Sequence, residues 1–176
     1  MMLCKVTREL GFCLIYKNAS SSVRAARPMR PVTPAEFLVL SRRVALLREP
    51  HDRFESTWRD YRQRRDVRLT FGEFAETALA GYFPFKTPEL VPQVDYCALA
   101  NHLIRWDFAE LAEVLGVAVP HVNRTEREPV IWPAAIKERF AERYAADLAL
   151  WEQCPLPTHT AVSGPDFSNV RSGSGS

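Results

Sequence analysis

Strand-sized apolar runs alternate along this chain with capped helical segments, and that alternation confines it to an α/β fold. Residues 12–16 (Phe-Cys-Leu-Ile-Tyr) form a short apolar run of the kind that makes a buried strand. Residues 44–47 (Val-Ala-Leu-Leu) form a second, and Leu103-Ile104 a third. Between the first two, Thr33-Pro34-Ala35-Glu36 signals a helix start, with a Thr cap, Pro at the first position and Glu at the third. Pro50 opens a helix with Phe54, Trp58 and Tyr61 on one face. Thr70 caps another, which carries Phe74, Ala78 and Leu79 and stops at Gly81. Asp107 caps a helix that ends at Gly116. Pro133 opens the last, with Ile136, Phe140, Tyr144, Leu148 and Trp151 as one core-facing stripe. Strands separated by helices predict a three-layer α/β architecture, a mainly parallel sheet flanked by helices. In such sheets ligands sit beyond the carboxyl ends of the strands, which directs attention to the residues just after Tyr16 and Leu47.

A chain of 176 residues builds one such core, and we expect a body over residues 1–154 and a flexible tail over residues 155–176. The tail's last five residues, Ser-Gly-Ser-Gly-Ser, resemble an appended linker. No apolar run approaches the roughly 20 residues of a membrane span, and no signal-peptide pattern opens the chain. A soluble, cytoplasmic protein without a membrane partner is the expectation. Charge is unevenly laid out. Residues 1–48 carry nine Lys/Arg against two Asp/Glu, net +7, and the remainder is net −5. That places an anionic ligand near the N-terminal third. With nineteen Arg against four Lys, a Lys at a special position is notable. Cys4, Cys13, Cys97 and Cys154 show no CxxC spacing and, with four scattered histidines, no zinc pattern, so free buried thiols are expected.

After the first strand comes Lys17-Asn18-Ala19-Ser20-Ser21-Ser22, then a helix start. Small residues let an oxyanion approach the backbone, hydroxyls add donors, and Lys17 brings a point charge. It is no Walker A loop: it has no glycine, and its Lys comes first. After the second strand comes Arg48-Glu49-Pro50-His51-Asp52-Arg53-Phe54-Glu55-Ser56. Arg48 at the strand end and Ser56 two turns into the helix could hold one phosphate, by a guanidinium fork and a hydroxyl.

Together these two elements resemble the sulfotransferases that use 3′-phosphoadenosine 5′-phosphosulfate. Residues 17–22 are similar to that family's 5′-phosphosulfate loop. Residues 48–56 are similar to its 3′-phosphate motif, Arg-Asp/Asn-Pro-x-Asp-Arg-x-x-Ser, with Glu49 as the one departure. Phe71-Gly72-Glu73-Phe74 resembles the family's Phe-x-x-Phe helix. Pro92-Gln93 resembles the end of its His-x-x-Pro-Gln segment, with Glu89 where the family has His. Pro120-His121-Val122-Asn123 is similar to the Pro-His-x-Asn of Golgi-type carbohydrate sulfotransferases. The resemblance spans roughly residues 10–152 and departs in a very short segment between the two phosphate motifs.

It implies a P-loop-like sulfotransferase fold and transfer of a sulfuryl group from that nucleotide to an acceptor hydroxyl, a carbohydrate being favoured, with no metal. It assigns Lys17 to the leaving phosphate's bridging oxygen. Residues 17–22 would hold the 5′ end, and Arg48 and Ser56 the 3′-phosphate. For the base it leaves Glu36, the only carboxylate between the two motifs, although the Thr33 box alone explains a Glu there. His51 is the rival base. His121, His102, Arg124 and Arg127 are more readily explained by loop shape, core and solvated charge. Two other classes stay open. A basic nucleic-acid-binding module is favoured by the N-terminal charge and the Arg-rich residues 59–68. A small-molecule kinase with a divergent phosphate loop is the other. The sulfotransferase reading carries no nucleic-acid partner.

Overall fold

The computed structural model describes residues 2–64, 68–81, 88–120, 122 and 129–156. Among them five strands, β1 (Met2–Lys5), β2 (Leu10–Leu14), β3 (Arg30–Pro31), β4 (Arg42–Leu47) and β5 (His102–Arg105), form one sheet in the order β3-β1-β2-β4-β5. β4 pairs in parallel with both β2 and β5, whereas β1 runs antiparallel to both β2 and β3. The three strands read from the sequence are thus the parallel half, and the sheet as a whole is mixed rather than mainly parallel. The reason is local. Only residues 6–9 join β1 to β2, and Thr7 Oγ1 accepts from Leu10 N at 3.0 Å while Val6 N donates to Leu10 O at 2.9 Å. A link that short permits only an antiparallel return.

The helices are α1 (Ser20–Ala26), α2 (Pro34–Leu38), α3 (Pro50–Arg64), α4 (Phe71–Leu79), α5 (Val94–Cys97), α6 (Phe108–Leu115), α7 (Ala134–Arg143) and α8 (Ala145–Gln153). Strand side chains alternate between two buried faces. Phe12, Leu14, Val44, Leu46 and Ile104 pack with Val23 of α1 and with Leu111, Val114 and Leu115 of α6. Cys13, Ile15, Ala45, Leu47 and Leu103 pack with Phe37, Leu40, Tyr96, Cys97, Leu150 and Trp151 on the other face. Helices therefore cover both sides, as the alternation of elements required. Gly11 permits one close approach: a Cβ there would lie 2.5 Å from Leu40 Cδ1 and 2.9 Å from the Cys4 carbonyl oxygen. All four cysteines are free and buried.

A separate aromatic cluster joins α3, α4 and α7. Phe54 lies 5.3 Å, ring to ring, from both Phe74 and Phe140, and Phe71 lies 4.7 Å from Trp132. Both phenylalanines of the Phe-x-x-Phe helix are buried here. The stripe expected to run unbroken from Ile136 to Trp151 is divided at Tyr144, whose φ of −109° and ψ of 22° separate α7 from α8. Ile136, Phe140 and Tyr144 serve the aromatic cluster, while Leu150 and Trp151 serve the sheet. One straight helix cannot present a single stripe to both. No helix among the described residues is long and apolar enough to cross a membrane.

Candidate functional site

The loop leaving β2 is held in an uncommon shape. Lys17 and Ala19 have φ of 67° and 56°, the left-handed region that L side chains seldom occupy. Donors from the exit of β4 and from α3 fix the loop's carbonyls. Arg53 Nε donates to Tyr16 O at 3.2 Å, and Arg48 Nη1 donates to Lys17 O at 2.9 Å. Asn18 is buried and turned inward, its amide donating to Leu46 O at 2.7 Å and to the Gln93 side-chain oxygen. These bonds are what hold two strained residues in place. The Lys17 ammonium lies 2.9 Å from Asp60 of α3.

The loop leaving β4 begins at Arg48, which is buried. Its guanidinium lies over the Trp106 ring at 4.3 Å, at the exit of β5, and Asp52 approaches it at 3.9 Å. The Gln93 amide pairs with the Arg48 main chain as a strand partner would. Arg48 N donates to Gln93 Oε1 at 3.0 Å, and Gln93 Nε2 donates to Arg48 O at 2.9 Å. The Asp147 carboxylate of α8 in turn accepts from Gln93 N at 2.8 Å and from Val94 N at 2.9 Å. Burial pushes the Asp147 carboxyl above its ordinary range, against the opposing pull of those two N–H groups and of Arg53. Burial also lowers the Arg53 guanidinium's pKa. Exits of three adjacent parallel strands thus converge, with Lys17, Arg48 and Trp106 around one place.

Residues 17–22 and Arg48 are therefore brought together. Ser20 opens α1 half-buried and Ser21 is exposed. The Ser22 hydroxyl is buried and accepts from Val122 N at 3.2 Å, which brings Val122 against this loop. Asn18 holds the loop from within, so its side chain does not face a ligand. Ser56 sits half-buried in the middle of α3.

Glu36 does not fit the role of base. It is exposed on α2, where Thr33 N and Oγ1 donate to its Oε2 at 2.8 and 3.1 Å, and Arg30 donates to Oε1 at 3.0 Å. The Thr33 N–H, then the Arg30 and Thr33 side chains, hold its carboxyl below the usual range, and a weakly basic, occupied carboxylate is a poor proton acceptor. His51 is packed 4.6 Å from the Phe140 ring and 5.1 Å from Trp132, with Nδ1 2.7 Å from Glu49 Oε1. His102 lies on β5, lowered in pKa by burial and then by Arg42. His121, Asn123, Arg124, Arg127 and nearly all of the tail lie outside the described residues.

Four residues to which the sequence alone assigns no role complete the site: Arg53, Asp60, Trp106 and Asp147. Arg53 is a fixed position of the second motif and could have been singled out there. Asp60 falls on the helical spacing that begins at Asp52 and Ser56. Trp106 directly succeeds the third strand. Nothing near Asp147 in the chain marks it. Comparison with known proteins found no matching family model, no matching curated protein and no matching solved structure.

Chemically, the arrangement offers two cations of different kinds at neighbouring strand ends. One is a point charge on a loop of small and hydroxyl residues, the other a planar fork backed by an indole. A ligand with two separated anionic groups suits such a pair better than a single anion does.

Proposed function

We propose that this protein is a sulfotransferase that moves a sulfuryl group from 3′-phosphoadenosine 5′-phosphosulfate to an acceptor hydroxyl, a carbohydrate hydroxyl in the first instance. The observation that carries the reading is the 2.9 Å bond from the Arg48 guanidinium to the Lys17 carbonyl. It puts the two anion motifs, 31 residues apart in the chain, side by side at the ends of parallel strands. Lys17 holds the donor's 5′ end with the backbone of residues 18–22, and Arg48 and Ser56 hold its 3′-phosphate.

In the transfer, the acceptor oxygen forms a bond to sulfur as the bond from sulfur to the bridging phosphate oxygen breaks. The hydroxyl proton passes to a base, and the Lys17 ammonium stabilises the charge that grows on the departing phosphate. Of the two groups weighed as base, His51 is the better furnished. Glu49 engages its Nδ1, which leaves Nε2 to accept a proton. Burial raises the Glu49 carboxyl's pKa, but the hydrogen bonds it accepts from the His51 ring and from the Asp52 and His51 N–H groups outweigh that and keep it ionised.

Calorimetric titration tests the reading. Binding of 3′,5′-diphosphoadenosine is expected, with loss of either phosphate weakening it by about tenfold or more, the scale of a charge-assisted hydrogen bond. Lys17→Ala is expected to abolish transfer of sulfur-35 from labelled donor to a panel of glycans. No response to the diphosphate, together with steeply salt-dependent RNA binding or magnesium-dependent ATP turnover, would replace the reading with one of its rivals.

A further inference from the structure

Helix α3 brings charge of the wrong sign for an anion site directly to the catalytic cation. The Lys17 ammonium and the Asp60 carboxylate are 2.9 Å apart, with side chains 17% and 13% exposed. Asp52, which approaches Arg48 at 3.9 Å, lies two fourfold steps earlier on the helix, so Asp52, Ser56 and Asp60 share one stripe. A pair this sheltered from water is screened little by salt and is not opened by any passing anion. An anion that reaches Lys17 must displace a carboxylate first.

We infer that Asp60 is a specificity-determining counter-ion. It occupies Lys17 in the ligand-free protein, excludes free inorganic phosphate from the loop, and admits a 5′-phosphorylated ligand that is anchored a second time at Arg48. The second anchor matters because it holds the 5′ group beside the ion pair at high effective concentration, which a free phosphate ion lacks. The loop's left-handed residues and the Arg48 bond to the Lys17 carbonyl fix the Lys17 main chain, so exchange of partners falls to the side chains. The inference rests on the nucleotide reading proposed for this site and deepens it, by saying which residue sets the threshold for entry.

The test compares the full chain with Asp60→Asn, using inorganic phosphate, adenosine 5′-monophosphate and adenosine 3′-monophosphate as calorimetric probes. In the variant, affinity for the first two is expected to rise roughly tenfold, while the 3′-monophosphate changes less than about twofold. A second readout needs no ligand. Removing the carboxylate takes away the 2.9 Å ion pair that engages the Lys17 amine, so its acetylation by acetic anhydride, followed by mass spectrometry, is expected to quicken. Asp60→Ser serves in the same measurements should the asparagine variant fail to fold.

Acetylation that does not quicken, or phosphate and 5′-monophosphate affinities that stay the same or fall, overturns the counter-ion. If acetylation quickens and inorganic phosphate binds more tightly while neither protein binds any adenosine phosphate, the counter-ion stands and the nucleotide reading is the one that fails.

Discussion

Gln93 shows how much one buried side chain can organise. It is 1% exposed, and its amide engages Asn18 from the loop after β2 and both main-chain groups of Arg48 from the loop after β4. Gln93→Leu keeps the volume near constant but strands those partners in the interior. Each orphaned group costs about 1–3 kcal/mol, so a loss of at least roughly 2 kcal/mol is expected in urea unfolding, against under about 0.5 kcal/mol for Ser21→Ala on the surface. Lys17 and Arg48 were legible in the sequence because each comes directly after an apolar run, and position after a strand is itself information. Pro92-Gln93 was legible as a dipeptide, but not as the bridge between two loops, because its partners are 45 and 75 residues away. Asp147 was not legible at all. A carboxylate that caps another helix's N–H groups leaves no local trace, and the amphipathic pattern around it predicts only a solvated position.

Helix boundaries fared better, since capping is local chemistry written in adjacent residues. Thr33 with Glu36 and Thr70 with Glu73 both form complete capping boxes, and Asp107 accepts from Ala109 N and Glu110 N at 2.8 and 2.9 Å. Hydrogen bonds from Thr33 and Arg30 lower the pKa of Glu36, and hydrogen bonds from the Thr70 side chain and N–H lower that of Glu73, from an ordinary value of 4.5. A carboxyl depressed in the folded state stabilises it above the ordinary value, and that contribution fades as pH falls through the depressed one. Glu36→Gln and Glu73→Gln are therefore expected to flatten the fall in melting temperature below about pH 4.5, as followed by circular dichroism. Thr70→Ala, which removes the cap itself, is expected to cost about 1 kcal/mol. Where the sequence misled, the cause was tertiary. The stripe from Ile136 to Trp151 has a continuous helical period, yet it serves two different cores, and the chain bends at Tyr144 to reach both.

The sheet's centre and margin differ in kind, and its dynamics should differ with them. β4 is flanked on both sides and buried at every position from Val44 to Leu47, whereas β3 is two exposed residues at an edge. Native-state hydrogen exchange is expected to be slowest in β2 and β4 and fastest in β3, with protection in β4 approaching the global unfolding free energy. The alternation of strand and helix gave the layered architecture correctly. It could not give the antiparallel margin, because Met2–Lys5 reads as an unremarkable start and the hairpin that turns it back lacks the glycine or asparagine pair that usually announces one. The Asp147 clamp has a consequence for how such a protein comes into being. Synthesis runs from the N-terminus, so the loops after β2 and β4 are both complete about ninety residues before the carboxylate that braces the amide between them. Through that interval the nascent chain carries its charged loops without their brace, and the arrangement of the two strand exits matures late, when α8 docks.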